Sequence, residues 1–218
     1  MKLIVAGLMV LVVGGTALGG GLLTAQQADG EFAGWKTFHE KAGAKTSDVW
    51  RLQPGGVLVC KGQPRGYLYT EAAYSNFVLR LEWRYPAGTK AGKGGALVRM
   101  TGEHSIWPRC LECQLNQGAA GDFWAIRGYE VAGPADRLKL TPQSAFGTLR
   151  HLKRLADAEK PAGEWNVHEA VVDGPTITQT LNGVLVNRAT GCEVVAGKIL
   201  LTAEGTEIHF RNIRLEVK

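Results

Sequence analysis

Phe77-Val78-Leu79-Arg80-Leu81-Glu82-Trp83-Arg84-Tyr85 alternates between apolar and charged residues, apart from one apolar step at Val78. Phe77, Leu79, Leu81, Trp83 and Tyr85 fall on one face, and Arg80, Glu82 and Arg84 on the other. This period of two predicts a β-strand with one buried face, because successive side chains point to opposite sides of a pleated backbone. The rhythm recurs on both sides. Shorter strands are expected at Val57–Cys60, 96–100, 110–116, 167–172, 199–203 and 207–217. Thr176–Leu181 and 184–187 flank Asn182-Gly183, a pair that tolerates positive φ at both central positions of a type I′ turn and so signals a hairpin. Residues 144–158 are the one stretch that could be helical, and they lack a clean apolar stripe. Gly and Pro break the pattern every ten residues or so, and no internal repeat or linker divides the chain. Many short strands at regular spacing predict an all-β fold, a sandwich of two antiparallel sheets.

Composition agrees. The 218 residues are 45% hydrophobic, too apolar for a disordered chain, and include 29 glycines. Glycine costs about 1 kcal/mol in a helix interior, so this content disfavours a helical bundle. It has no period of three, which excludes collagen. The net charge of +5 is mild and scattered. A nucleic-acid surface is therefore not expected.

Residues 1–28 carry one cation, Lys2, then the apolar run 3–13, small residues and a cleavage-like region around Thr24-Ala25-Gln26-Gln27-Ala28. This order predicts a secretory signal peptide, with a retained membrane anchor as the alternative. Either way, residues 29–218 form a single exported domain, periplasmic or extracellular. Contact with a membrane is expected only through the N-terminal segment if it stays uncleaved. Export permits disulfides, and a Cys60–Cys192 bridge is possible. Cys110 and Cys113 lie three apart on a predicted strand, so they point to opposite faces and do not chelate one ion. Cys113 shares its face with Leu111 and Leu115 and is read as a core thiol.

The chemistry concentrates on that strand. Glu112, Gln114 and Asn116 alternate on the face opposite Leu111, Cys113 and Leu115. His104 and Trp107 precede them, and Gly121-Asp122-Phe123-Trp124 follows. Aromatic rings beside carboxylate and amide groups suit sugars, which present apolar C–H faces and rings of hydroxyls. Glycoside hydrolysis by acid and base normally uses two carboxyl groups. Glu112 is the one carboxylate in this row, and Asp122 is a possible second on a loop. The row fits better a mechanism with one base and a polarising group. His39, His151 and His168 show no ligand spacing and read as surface or packing residues. Lys90 to Lys93 and Arg150 to Arg154 read as solvated edges.

The order of motifs resembles the 3-keto-disaccharide hydrolase domain family. It is carried by Gly34-Trp35, Glu82-Trp83-Arg84, Gly95-Ala96-Leu97-Val98-Arg99, Ile106-Trp107-Pro108 and Leu111-Glu112-Cys113-Gln114-Leu115. It continues in Gly121-Asp122-Phe123-Trp124, Glu159-Lys160-Pro161, Gly163-Glu164-Trp165-Asn166, Leu181-Asn182-Gly183, Glu204-Gly205 and Phe210-Arg211-Asn212-Ile213. The resemblance implies a concanavalin A-like jelly-roll sandwich from an exported bacterial protein. It implies cleavage of glycosides oxidised at C3, whose ketone acidifies the C2 proton and allows elimination of the C1 substituent, followed by hydration. A non-catalytic carbohydrate-binding module is the alternative. Carried onto this chain, Glu112 is the expected base or metal ligand, and Gln114 and Arg99 are expected at the sugar or ketone. His104, Trp107, Asn116, Asp122, Trp124 and Arg211 are expected to bind substrate. A divalent metal ion, with Glu112 and Asp122 as candidate ligands, is a possible cofactor, and the partner is an oxidised glycoside or oligosaccharide. Two departures stand out. Many members have Asn-Ser-Gly where this chain has Lys93-Gly94-Gly95, and Gln-Ser where it has Thr202-Ala203.

Overall fold

A computed structural model of the chain describes residues 23, 27 and 29–218. The segment read as an export signal lies almost wholly outside these residues. Among the described residues, no helix is long and apolar enough to cross a membrane.

The strands are β1 (Trp35–His39), β2 (Trp50–Gln53), β3 (Val57–Cys60), β4 (Gly66–Thr70), β5 (Phe77–Arg84), β6 (Gly95–Thr101), β7 (Arg109–Gln114) and β8 (Phe123–Ile126). They continue as β9 (Leu138–Ser144), β10 (Gly147–Leu152), β11 (Asn166–Asp173), β12 (Thr176–Leu181), β13 (Val184–Ala189), β14 (Lys198–Ala203) and β15 (Ile208–Val217). One four-residue helix, α1 (Thr46–Val49), precedes β2. The strands form two antiparallel sheets, an eight-stranded one ordered β1-β4-β14-β6-β7-β8-β10-β9 and a seven-stranded one ordered β13-β12-β11-β5-β15-β3-β2. The expected all-β sandwich is therefore what the chain forms.

β5 behaves as its alternation requires. Phe77, Leu79, Leu81 and Trp83 are buried between the sheets, and Arg80 is exposed on the other side. The Asn182-Gly183 turn joins β12 to β13 with φ of 51° and 82°, the two positive values of a type I′ turn. The possible helix at 144–158 is not formed. Residues Leu138–Ser144 and Gly147–Leu152 pair as a hairpin that extends the eight-stranded sheet. Gly147 and Thr148 sit poorly in a helix, and β10 gains a ladder against β8. All four cysteines are buried free thiols, so the possible Cys60–Cys192 bridge is absent. Cys113 lies in the main core with Leu111 and Leu115, while Cys110 packs in a separate cluster with Leu97, Ile126 and Leu200. The two cysteines are thus on opposite faces of β7, as their spacing requires.

Candidate active site

The outer face of the eight-stranded sheet carries the site. Strand pairing sets Leu200 beside Leu97, Leu97 beside Glu112, Glu112 beside Trp124, and Trp124 beside His151. Glu112 thus sits mid-sheet in a row that is otherwise apolar or aromatic, and it is 5% exposed. A cleft of about 350 Å³ opens over it. Glu112, Gln114, Asn116, Lys93, Arg65 and Glu204 line its polar part, and Trp107, Trp124, Ile126, Phe146 and Leu149 line the apolar part.

Gly95 makes the space for Glu112. It pairs with Gln114 on the neighbouring strand, and a Cβ there would lie 3.0 Å from Glu112 Oε1 and 3.1 Å from its Cγ. The Gly95 amide donates to Thr202 Oγ1 at 2.6 Å, and the Thr202 hydroxyl donates to Glu204 Oε1 at 2.6 Å. Next to it, the Gly94 amide donates to Asn116 Oδ1 at 2.8 Å. The 93–95 segment and the end of β14 therefore bring Glu204 into the same cleft as Glu112.

Glu204 is the second carboxylate, and the polar row on β7 gave no hint of it. It was visible in the sequence only within the Glu204-Gly205 motif. Its role depends on β14 lying beside β6, a pairing of strands about a hundred residues apart. Burial pushes the Glu204 carboxyl up to about 7, although the Thr202 hydroxyl and the Lys93 charge favour its ionised form. Burial also holds Glu112 well above the usual carboxylate range, reinforced by the negative charges of Glu204 and Asp122. Both carboxyls of the cleft thus resist ionisation, and each disfavours the charge of the other.

The remaining expected residues divide. Gln114, Trp107, Asn116 and Trp124 line the cleft, and Gln114 Oε1 accepts from the Trp124 indole N–H at 3.2 Å. Asp122 stands behind the cleft wall. Its oxygens accept from the Arg154 amide at 2.8 Å and pair with His151 Nε2 at 2.7 Å. The His151 ring stacks on Trp124 with centroids 4.1 Å apart and 8° between planes. Asp122 thus acts on the site through His151 and Trp124. Among the described residues, no three His, Cys, Asp or Glu side chains gather as a metal-ligand set. His151 is no solvated-edge residue, and Lys93 belongs to the cleft.

Arg99, His104 and Arg211 are not brought to the cleft. Arg99 is fully buried at a bulge in β6 with φ of 53°, and its guanidinium donates to the carbonyls of Ser75, Gly174 and Glu193. The bulge between Val98 and Thr101 turns Arg99 into the interior, away from the cleft where the resemblance had placed it. His104 bonds the Tyr67 hydroxyl at 2.8 Å and packs against Phe38 and Tyr69. Arg211 lies on the other sheet, where it pairs with Glu82 and covers the Trp165 ring.

With this geometry in place, the 3-keto-alpha-glucoside-1,2-lyase-like domain matches residues 26–216 of the chain. The chain belongs to that family. No curated protein sequence matches it. A candidate glycosyl hydrolase of Parabacteroides distasonis aligns with a TM-score of 0.59 at 19% identity, over 85% of this chain and 88% of that one. The carbohydrate-binding module CBM66 of Bacillus subtilis gives 0.58 at 14% identity, over 84% and 95%. A β-glucanase of Bacillus licheniformis gives 0.56 at 9% identity, over 94% and 100%. These likenesses establish the jelly-roll fold of the glucanase type, an architecture used by glycosyl hydrolases and carbohydrate-binding modules alike.

Proposed function

We propose that this member of the family is an exported enzyme that cleaves 3-keto-glycosides by elimination across C1–C2 followed by hydration. The observation that carries the reading is the Glu112–Glu204 pair: two buried carboxyls, one cleft, and a cation beside one of them. A binding module needs no pair of buried carboxyls whose proton affinities are raised, whereas proton transfer to and from a substrate does.

The chemistry follows from which carboxyl keeps its proton. Glu204 accepts from Thr202 and feels Lys93, so it ionises first and is the base. Glu112, more deeply desolvated, stays protonated and is the acid. Glu204 takes the C2 proton, which the neighbouring ketone has acidified. The electron pair passes to the C3 oxygen, whose negative charge Lys93 and Arg65 stabilise from the polar rim. When the enolate collapses, the C1–O1 bond breaks and Glu112 gives its proton to O1, releasing the aglycone alcohol. The remaining sugar has a C1=C2 double bond conjugated with the ketone. Glu112, now ionised, takes a proton from water as its oxygen adds to C1, and Glu204 returns its proton to C2. The product is the free 3-keto sugar. Gln114 and Asn116 hold sugar hydroxyls, and Trp124, braced by His151, offers its face to the ring. This assignment gives the base role, expected at Glu112, to Glu204.

The test is turnover of a 3-keto-glucoside by purified protein, beside Glu112→Gln and Glu204→Gln, with and without chelator. Each variant should lose about 10²- to 10⁴-fold in kcat/KM, the usual contribution of one proton-transfer group. No turnover by the unmodified protein on any 3-keto-glycoside would overturn the reading in favour of a binding module.

A further inference from the structure

The apolar part of the cleft is not built for a second sugar. Trp107 and Phe146 are in ring contact, and Ile126 lies two residues along β8 from Trp124, the neighbour of Glu112; with Leu149 they form the apolar part of the lining. Apart from the Trp107 indole N–H, their side chains contain no hydrogen-bonding atom. A sugar ring there would surrender water from several hydroxyls and find almost no partner, which is costly.

The wall is held in place. Phe146 sits at the tip of the β9–β10 hairpin and is 39% exposed. Its amide donates to Ser144 Oγ at 3.0 Å, and the Ser144 hydroxyl donates to the Gly147 carbonyl at 2.6 Å, which fixes the shape of the turn. The Phe146 ring meets Trp107 edge to face, with centroids 6.2 Å apart and 76° between planes. Arg127 Nε in turn donates to the Trp107 carbonyl at 2.6 Å. Rings set edge to face with aliphatic side chains beside them form a slot, whereas a sugar-stacking platform offers one open face with polar groups at its rim. A cleft that is polar at the reacting end and apolar at the other suits a ligand with the same division.

We propose that this wall is an aglycone subsite for a flat apolar group, so that the substrate is an aryl glycoside oxidised at C3 and not an oxidised disaccharide. The proposal rests on the elimination reading above, which fixes the sugar over Glu112 and Glu204 and leaves the wall for the leaving group. The product on this side is then a phenol, which leaves an apolar slot without carrying hydroxyls that need partners there.

The experiment compares two 3-keto-glucosides of the same anomeric configuration, one with a phenyl and one with a glucosyl aglycone. Affinities are measured by titration calorimetry on the Glu112→Gln protein, where the acidity of the leaving group does not enter. The phenyl compound should bind at least about tenfold tighter, the factor that burying part of one ring supplies. Phe146→Ala and Leu149→Ala, each added to Glu112→Gln, should lower that preference about tenfold. A glucosyl compound that binds equally well or better, or a preference unchanged in both double variants, would overturn the subsite. Failure of the enzymatic reading has a different signature. In that case the unmodified protein cleaves neither compound, while phenol itself, titrated alone, still binds the wall and loses affinity in Phe146→Ala.

Discussion

At the scale of the residue, the proposed reaction turns on the protonation states of Glu112 and Glu204. Productive elimination needs Glu204 ionised and Glu112 protonated. Burial pushes Glu204 up to about 7, so kcat/KM should rise as pH passes through about 7, and it should fall again at the pH where Glu112, itself raised by burial, loses its proton. Lys93 favours the ionised Glu204, so Lys93→Ala should move the rising limb to higher pH; a limb that stays in place would separate Lys93 from the base. Gly95 is the second sensitive point. Its φ lies outside the left-handed region, so Gly95→Ala brings crowding without backbone strain. The added methyl displaces the Glu112 carboxyl, and kcat/KM should fall at least about tenfold, as sub-ångström misplacement of a reacting group does. Circular dichroism should stay unchanged. Glu112 was legible in the sequence because it stands on an alternating strand. Glu204 was not, because it follows β14, and only the pairing of β14 with β6, about a hundred residues earlier in the chain, brings it to the cleft.

At the scale of the element, the alternation of β5, β7 and β11 and the Asn182-Gly183 hairpin were plain from the residues. β1 and β9, the edges of the eight-stranded sheet, were not, and neither was β10, which falls within the stretch 144–158 read as a possible helix. Arg99 marks another boundary of such reasoning, since a bulge shifts phase without leaving a trace in the residue types. The loop that places Trp124 also depends on the far sheet. Gln179, fully buried on β12, takes a hydrogen bond from His168 Nε2 at 3.0 Å and donates to the Gly121 carbonyl at 2.5 Å. Asn187 donates to the same carbonyl at 2.9 Å. Gln179→Leu leaves the His168 N–H unpaired in the core and loosens the turn before β8. It should cost about 1–3 kcal/mol in urea unfolding. A variant as stable as the parent would show that this link between sheets carries no weight.

At the scale of the whole molecule, two sheets divide the labour. The seven-stranded sheet backs the core and keeps Arg211 and Trp165 on its outer face, far in topology from the reacting groups. The eight-stranded sheet spends its outer face on a cleft, polar over β7 and β14 and apolar over β8 and the β9–β10 hairpin. Thr202 and Lys93, near the ends of two neighbouring strands, both favour the ionised form of Glu204. Two-carboxyl sandwich glycanases of the usual kind break the C1–O1 bond with no change at C2. The elimination assigned to this chain breaks the C2–H bond, and that difference can be measured. The rate of a 3-keto-glucoside carrying deuterium at C2 should be compared with that of the protium compound at full turnover by the unmodified protein. Elimination with Glu204 as base predicts that the deuterated compound reacts several-fold more slowly in kcat/KM. Equal rates for the two compounds, across the pH range where Glu204 titrates, would contradict it.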